Sequence, residues 1–508
     1  MEVINAGWLS ILPPIIAITL ALITKEVISS LVIGILSGSI IYAALTPTTN
    51  FLGSVMDGTL FALTNRFSIP IIIFLGMLGS LVYVITKAGG SRAYGEWASK
   101  KIKSKAGAQL STFFLGILIF IDDYFNCLTV GTVMKPVTDK YKVSRVKLAY
   151  IIDATAAPIC IIAPISSWAA SVMVYMEGSG MNGMQAFIRS IPYNLYAMLT
   201  IVMVLVLCFT NLEFGPMARH EKLAREKGDL SISKTAKEMS DEEILAKGKV
   251  RDLVLPILSL VIFSVMAMLY VGGYFGSDMT LFEAFGNTDA AVAITYGAIG
   301  ALIFTFLLYV PRKLMCFREF MEGIGKGVGT MNQAFIILTL AWAMSTVCRD
   351  MLGTGIYVGE LVKASNMVGA FIPVIIFIVA AFLSFSMGTS WGTFGILIPI
   401  IIDICASIAP ELMIISLSAT LAGSVFGDHC SPISDTTILS STGAGCDHID
   451  HVSTQMYYSG VVAICCLVGY LIAGFTKNIF LTLGVSIAML LIILKVLHTV
   501  TIKKANSR

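Results

Sequence analysis

Charged side chains are scarce in this chain. Asp, Glu, Lys and Arg make up 13% of its 508 residues, apolar residues make up 56%, and the mean hydropathy is +0.86. Soluble globular proteins carry about 25% charged residues. The composition therefore predicts an all-α polytopic membrane protein whose main surroundings are the lipid bilayer. The net charge of +3 comes with no basic stripe, so no nucleic-acid partner is expected.

Several functional motifs are also missing. The ten cysteines are scattered and form no CxxC pair, which argues against disulfides and a zinc site. No phosphate-binding P-loop occurs, so ATP is not the expected energy source. No nucleophile–base pair stands out, so an enzyme is disfavoured and no cofactor is expected. The first apolar run, residues 8–23, lacks a basic n-region, so we interpret it as a retained helix rather than a signal peptide.

Apolar runs long enough to cross a bilayer recur along the chain. Runs of about 17–25 apolar residues qualify as transmembrane helices. Nine continuous runs are 8–23, 27–45, 68–87, 192–212, 252–271, 290–310, 331–347, 457–475 and 481–496. Two more runs, 147–176 and 411–441, are broken by Gly, Pro and polar residues. The sequence predicts about eleven spans in total.

Two further apolar segments, 108–134 and 371–403, each carry a polar interruption. The first is interrupted by Asp122-Asp123-Tyr124-Phe125-Asn126 and the second by Ser386-Met387-Gly388-Thr389-Ser390-Trp391-Gly392-Thr393. Lys and Arg flank the first segment on both sides, and basic loops stay in the cytoplasm. We therefore expect two re-entrant hairpins, the first opening to the cytoplasm and the second to the outside, with the N-terminus outside and the C-terminus inside.

The two halves of the chain have the same order of features. Each has a hairpin ending at a proline and then a broken helix, in which Ala163-Pro164-Ile165-Ser166 matches Ser431-Pro432-Ile433-Ser434. Each copy has an odd number of spans, so the copies are inverted. We predict a first inverted repeat over 1–212, a charged cytoplasmic linker over 213–251, a second inverted repeat over 252–476 and an extra C-terminal helix and tail over 477–508. The stretches 46–67 and 272–289 are expected to be outer loops.

Polar residues at the four interruptions form the candidate site. A charge buried in a bilayer marks a functional site by default, and sodium prefers oxygen ligands. The candidates for binding a cation or substrate are Asp122, Asp123, Asn126, Asp153, Thr155, Ser166, Ser167, Ser386, Thr389, Ser390, Asp428, His429, Ser431, Ser434, Asp435 and Thr436. The expected sodium ligands among them are Asp122, Asn126, Asp428, Ser434 and Asp435.

Purely structural roles are the alternatives for these candidates. Ser and Thr in membrane helices often only bond their own backbone. Asp153 is either a site residue or a structural residue that pairs with a nearby lysine or caps the broken helix. His429 is open between a proton carrier and a structural donor. Residues 446–451, Cys-Asp-His-Ile-Asp-His, superficially resemble a metal cluster, but we interpret them as a cytoplasmic polar loop or gate.

The segment Gly427-Asp428-His429-Cys430-Ser431-Pro432-Ile433-Ser434-Asp435-Thr436-Thr437 resembles the signature of the NhaC-type sodium/proton antiporter family, within a superfamily of inverted-repeat ion transporters. The resemblance extends over nearly the whole chain. It implies coupling of sodium and protons across a bacterial inner membrane and an elevator motion of the hairpin-bearing domain. Antiporter members often have Lys after the Gly-Asp pair, whereas this chain has His429-Cys430. That departure makes room for a different ion stoichiometry or an organic substrate.

The sequence thus predicts a sodium-coupled secondary transporter, most simply a sodium/proton antiporter. Sodium ions and protons are its expected coupling ions, and competition between them for a buried carboxylate would link their movements. The alternative is a sodium-coupled carrier of amino acids, such as methionine, or of small carboxylates, which would make a small organic solute a partner. An ion channel is disfavoured because two inverted hairpins do not form a continuous pore. Elevator carriers often dimerise, which makes a homodimer compatible with this reading.

Overall fold

The chain folds almost entirely into α-helices. A computed structural model describes residues 1–24, 26–47, 49–65, 69–120, 123–164, 166–176, 183–210, 212–232, 248–276, 280–357, 360 and 369–506. Across these ranges it has no β-sheet, only an isolated bridge between Ile232 and Cys446. The predicted all-α fold is confirmed.

The first half of the chain contains thirteen described helices, up to and including the linker helix. They are α1 (Leu12–Thr24), α2 (Val27–Leu45), α3 (Phe51–Asn65), α4 (Ile69–Lys87), α5 (Gly90–Lys101), α6 (Lys105–Leu118), α7 (Asp123–Lys140), α8 (Arg145–Asp153), α9 (Ala157–Cys160), α10 (Ser167–Met176), α11 (Gly183–Ser190), α12 (Leu195–Phe209) and α13 (Gly215–Lys227). The last of these, α13, lies inside the predicted linker.

The second half contains eleven more described helices. They are α14 (Arg251–Val271), α15 (Leu281–Asn287), α16 (Ala290–Tyr309), α17 (Phe317–Thr330), α18 (Asn332–Thr346), α19 (Ile372–Met387), α20 (Ser390–Ile408), α21 (Met413–Cys430), α22 (Asp435–Ala444), α23 (His448–Thr476) and α24 (Ile479–Asn506). A π-helical turn, Val347–Met351, follows α18 directly.

Long apolar helices confirm that the protein is polytopic. Within the described ranges, eight helices are long and apolar enough to cross a bilayer. The pair Gln185–Tyr193 and Leu195–Phe209, bent by 49°, would make a ninth. The predicted count of eleven stays a prediction, because α1, α12 and α18 are shorter than the runs that predict them.

Two stretches that were expected to be outer loops contain helices. Helix α3 fills most of residues 46–67, and its inner side buries Val55, Gly58 and Ala62. Asp57 interrupts the apolar run there, so the stretch is less apolar than a membrane span. Its small and apolar residues nevertheless recur at helical spacing. Helix α15 lies within 272–289, where Thr280 and Glu283 form a capping box that starts it.

The four predicted interruptions are present as breaks between helices. Helices α6 and α7 form hairpin one, and α19 and α20 form hairpin two, which turns at Gly388 with a positive φ of 65°. The first broken helix consists of α8, α9 and α10, and the second of α21 and α22. Pro432 lies in the second break, and Pro158 lies in the first turn of α9, where the missing N–H of a proline costs no helical hydrogen bond.

The helices pack as two groups. Hairpin two packs along α21, and α22 packs against α7 and α8, so both hairpins and both broken helices belong to one group, the site group. Helices α4, α14, α16 and α17 pack together, and α18 packs on α2 and α3 and also contacts α22 of the site group. We call this second set the framework group.

Candidate functional site

Both hairpin tips meet the second helix break, residues 431–434. Tyr124, in the first turn of α7, donates a hydrogen bond to the carboxylate of Asp435. Ser390, the first residue of α20, donates from its hydroxyl to Asp428 Oδ2 at 2.8 Å. The structure therefore places two predicted site carboxylates at one junction, each held by a different hairpin.

Asp428 lies in the last turn of α21 and is only 1% exposed. Its Oδ2 atom accepts from Ser390, whereas its Oδ1 atom has no hydrogen-bond partner in the described part of the chain. A helix C-terminus carries partial negative charge, so the helix dipole does not stabilise a carboxylate there. A buried carboxylate oxygen without a partner is costly. Asp428 is therefore suited to take up a cation or a proton at Oδ1.

Asp435 lies in the opposite electrostatic setting, in the first turn of α22. Its Oδ1 atom accepts from the N–H of Thr436 at 2.9 Å, and the positive end of the helix dipole favours a negative charge there. Ser434 caps the same helix by accepting the N–H of Thr437 at 3.2 Å. The break thus has at the end of α21 a carboxylate with one unpartnered oxygen among the described residues, and at the start of α22 a carboxylate that accepts from a backbone N–H and from Tyr124.

Hairpin one is held to the first broken helix by Asn126. The Nδ2 atom of Asn126 donates to the carbonyls of Gly116 at 2.7 Å, Ile119 at 2.8 Å and Thr155 at 3.1 Å. Its Oδ1 atom is buried with no hydrogen-bond partner among the described residues. Asp123, the first residue of the same helix, is fully buried. Asp122 lies outside the described residues.

A second polar cluster surrounds Asp153, the last residue of α8. Its Oδ2 atom accepts from Gln455 Nε2 at 2.5 Å and Thr437 Oγ1 at 3.1 Å, and lies 3.5 Å from His451 Nε2. His429 Nε2 lies 3.9 Å from Oδ1. Asp153 therefore pairs with imidazole, amide and hydroxyl groups rather than with a lysine, and we call these five residues the Asp153 cluster.

Two members of the Asp153 cluster, His451 and Gln455, were missed by the sequence reasoning. Residues 446–451 were interpreted as a polar loop, but α23 begins at His448, where Asp447 accepts the N–H groups of Ile449 and Asp450. His451 and Gln455 are both fully buried. A usable signal was present, because the two lie four residues apart on one face of a helix that continues into an apolar run. No group of residues in the described ranges could hold a metal ion through His, Cys, Asp and Glu.

Most of the remaining candidates form hydrogen bonds with backbone groups. Ser166 caps α10 by accepting the N–H of Ala169 at 3.0 Å. The hydroxyls of Thr155, Ser386 and Ser431 donate to carbonyls of Ile151, Phe382 and Phe385, each at 2.8 Å. Thr436 Oγ1 lies 3.2 Å from Ser434 Oγ. The side chain of Ser167 lies outside the described part, and Thr389 faces the cavity described next.

A cavity of about 400 Å³ lies between the site group and the framework group. From the site group, Asp123, Asp435 and Thr389 reach it. From the framework side, Asp289 at the N-cap of α16 and Arg349 in the π-helical turn after α18 reach it. Trp342, Trp391, Tyr124 and Tyr175 supply aromatic wall. We call it the central cavity; neither Asp428 nor the Asp153 cluster lines it.

Similarity to known proteins extends over most of the chain. Residues 169–475 match the sequence profile of the Na+/H+ antiporter family. A Haemophilus influenzae (strain Rd) protein described as uncharacterised is 40% identical over 495 residues, covering 94% of this chain and 93% of that protein. A Bacillus subtilis malate-2H(+)/Na(+)-lactate antiporter is 28% identical over 225 residues, 39% of this chain and 45% of the relative. An uncharacterised Haemophilus influenzae Na(+)/H(+) antiporter is 28% identical over 148 residues, 28% of this chain and 30% of that protein.

Proposed function

The chain belongs to the Na+/H+ antiporter family, and we propose that it exchanges sodium ions for protons across a bacterial cytoplasmic membrane. The profile match covers more than half of the chain, including hairpin two and the second broken helix. Membership in this family makes the protein a multi-pass membrane transporter. The exchange of these two ions, the site and the motion are our proposal.

The observation that carries the proposal is the buried carboxylate of Asp428, whose Oδ1 atom has no hydrogen-bond partner among the residues that the structure describes. Oxygen atoms of carboxylates, hydroxyls and freed carbonyls are the ligands that hard cations prefer. Asp428, Ser434 and Asp435 surround the second break and supply such atoms. Asn126 Oδ1 would contribute to a second set beside the first break. Asp122, which the sequence predicts as a further sodium ligand, lies outside the described residues.

Protons would be coupled to sodium by competition for the same carboxylate. Asp428 cannot remain charged at low cost without a cation, because burial removes its water and the helix end repels it. A sodium ion and a proton each remove that cost, but one oxygen site does not hold both at once. Each binding event therefore excludes the other, which is the condition for exchange.

An elevator motion fits the division of the helices. Both hairpins and both broken helices belong to the site group, while α2, α3, α4, α14, α16, α17 and α18 form the framework group. A rigid displacement of one group past the other would carry the site from one side of the membrane to the other. A homodimer contacting through the framework group would hold that group still.

The direct test uses purified protein in sealed liposomes that contain a pH-sensitive dye. An imposed sodium gradient should drive proton movement in the wild type. Asp428→Asn should abolish that flux while the protein still inserts. Asp57→Asn, which changes an exposed carboxylate on α3, should leave it unchanged. Wild-type flux in Asp428→Asn would refute the site, and no sodium-driven flux in the wild type would refute the exchange.

A sodium-coupled carrier of a small organic solute is the second candidate. The central cavity favours it because that cavity is much larger than one ion requires. The name of the Bacillus subtilis relative, which includes malate and lactate, also favours an organic acid. In that case sodium would still bind at the second break, and the solute would occupy the cavity beside Asp435.

A further inference from the structure

We infer that the buried pair of Asp153 and His451 binds a proton of its own, separate from the proton that competes with sodium at Asp428. This second proton weakens sodium binding from a distance. The inference rests on the proposed sodium/proton exchange and adds a proton-binding site to it. It also assigns a role to His451, a residue that the competition at Asp428 does not use.

The carboxylate of Asp153 is buried without a fixed cation beside it. Asp153 and His451 are both fully buried. Among the described residues, the basic groups within 4 Å of the carboxylate are the imidazoles of His451 and His429, and no Lys or Arg lies that close. Asp153 is the last residue of α8, where the helix dipole disfavours a negative charge. A buried charge without compensation is costly, and one proton on the pair removes that cost.

The geometry of the pair leaves a place for this proton. His451 Nε2 lies 3.5 Å from Asp153 Oδ2, and neither ring nitrogen of His451 has a hydrogen-bond partner in the part of the chain that the structure describes. Asp153 Oδ1 also lacks a partner there. A proton on Nε2 would convert the approach to Oδ2 into a charge-assisted hydrogen bond, which is stronger than a hydrogen bond between neutral groups.

Asp153 is the direct acidic partner of His451, since its carboxylate is the one within 4 Å of that imidazole in the described ranges. On the same helix, His448 uses both ring nitrogens, at the hydroxyl of Ser441 and at the carbonyl of Pro432. Helix α19 has no ionisable side chain. The ionisable groups on the other elements packed against α23 are Tyr196 of α12, Asp428 and His429 of α21, Asp435 of α22, His498 of α24, and Glu213 and Glu221 of the linker, which pair with Lys147 and Lys105.

Hydrogen bonds connect the pair to both helices that flank the second break. Gln455 Nε2 donates to Asp153 Oδ2 at 2.5 Å and also to the carbonyl of His429 at 2.9 Å, one residue after Asp428. Thr437 of α22 donates to the same Oδ2 atom at 3.1 Å. Charges interact more strongly through a protein interior than through water. A negatively charged pair therefore attracts sodium to the break, whereas a protonated pair, which is neutral overall, does not.

The effect between the two sites is reciprocal. If loss of the proton from the pair raises the sodium affinity of the break, bound sodium must lower the proton affinity of the pair by the same factor. Coupling between two sites typically changes affinity by about 5- to 150-fold. Sodium binding would then displace one proton from Asp428 by direct competition and part of a second proton from the pair through charge alone.

The test measures the sodium affinity of the purified protein in detergent across about pH 5–9, the range in which imidazoles titrate. Sodium chloride is titrated by calorimetry against a choline chloride control. The slope of log Kd against pH counts the protons displaced per sodium ion, and in the wild type it should exceed about one in part of the range. Asp153→Asn removes the charge at constant volume, so the slope should fall to about one and sodium affinity at high pH should fall about 5-fold or more.

Two histidine variants separate titration from structure. His451→Gln cannot take up a proton at residue 451 and should shift the pH at which the second proton leaves. His220→Gln is the matched control, because His220 lies on α13 with its imidazole hydrogen-bonded to Ser231, and it should follow the wild-type profile.

Three outcomes would overturn the second proton site while sodium binding stays intact. They are a wild-type slope that never exceeds one proton per sodium ion, a wild-type slope in Asp153→Asn, and an unchanged pH profile in His451→Gln. The first needs no variant, so a folding defect in Asp153→Asn does not prevent the test. Failure of the proposed exchange itself would appear separately, as absent sodium binding in the wild type.

Discussion

Replacing Glu221 with Gln tests whether the linker helix holds hairpin one against the first broken helix. Glu221 lies on α13 and is 3% exposed. The carboxylate oxygen Oε1 of Glu221 accepts hydrogen bonds from the N–H of Ser144 at 2.8 Å and from the hydroxyl of Ser144 at 2.7 Å. Oε2 pairs with Lys105, the first residue of α6. Ser144 caps α8, so one carboxylate joins the linker, a hairpin arm and the first broken helix.

The expected loss of stability follows from these contacts. The substitution conserves the side-chain volume and removes the charge. A hydrogen bond to a charged group contributes about 1.5–3 kcal/mol, and breaking a buried ion pair costs about 3–5 kcal/mol. The side chain of Lys105 is 29% exposed and can regain water. We therefore expect Glu221→Gln to lower the free energy of unfolding by about 2–3 kcal/mol.

The effect should depend on pH with a defined sign. Burial alone would raise the pKa of Glu221, but the charges of Lys105 and Lys147, together with the hydrogen bonds from Lys105 and Ser144, hold the pKa below its usual value. A carboxyl group with a lowered folded-state pKa stabilises the protein above its unfolded-state pKa, about 4.3 for Glu. That stabilisation is lost as the pH falls through the folded-state pKa. The wild type should lose its advantage over the variant in acid.

The assay is thermal unfolding of purified protein in detergent over a pH series. Glu221→Gln should unfold at a lower temperature than the wild type at pH 7, and the two midpoints should converge below about pH 4. Glu226→Gln changes an exposed carboxylate on the same helix and should match the wild type throughout. Equal midpoints for Glu221→Gln and wild type at pH 7 would refute the anchoring role.

Two further substitutions probe the site directly. Gly388→Ala would place a Cβ atom 2.5 Å from the carbonyl oxygen of Ile433 at a φ of 65°, so sodium-driven flux should fall several-fold. The control Gly484→Ala, which has open space around the new Cβ atom, should keep the wild-type flux. Wild-type flux in Gly388→Ala would contradict the tight contact. Gln455→Leu removes donors to Asp153 at 2.5 Å and to the His429 carbonyl at 2.9 Å, which should cost about 1–3 kcal/mol of stability in the same unfolding assay. An unchanged midpoint would show that the amide is dispensable.

The long helices were largely predictable from the sequence. The run 27–45 has the same bounds as α2, and the run 252–271 begins one residue after α14. An uninterrupted apolar run of bilayer length leaves few alternatives to a helix, because lipid offers no other partners for the backbone. The breaks were predictable for the related reason that proline and polar residues end such a run. Helix α3 was not, since one Asp in a mixed stretch masks its apolar side.

The partners across the site could be predicted only in part. Sequence order pairs each hairpin with the broken helix of its own half, and the contacts of Asn126 with Thr155 and of Ser390 with Asp428 follow that order. The bond from Tyr124 to Asp435 crosses between halves. Contacts of that kind depend on how the two repeats dock, which hydrophobic periodicity along one segment does not encode.

The last turn of α21 connects the two polar clusters of the site. Asp428 accepts a hydrogen bond from Ser390 of hairpin two. Its neighbour His429 faces Asp153, and the Nδ1 atom of His429 shares a hydrogen bond of 3.0 Å with the hydroxyl of Tyr196. Successive residues on a helix point about 100° apart, so one turn can serve both clusters without a flexible linker between them. Any shift of this turn that follows cation binding at Asp428 must also move His429 relative to Asp153. The adjacency of Asp428 and His429 in the sequence therefore has a structural consequence, namely that the two clusters cannot rearrange independently.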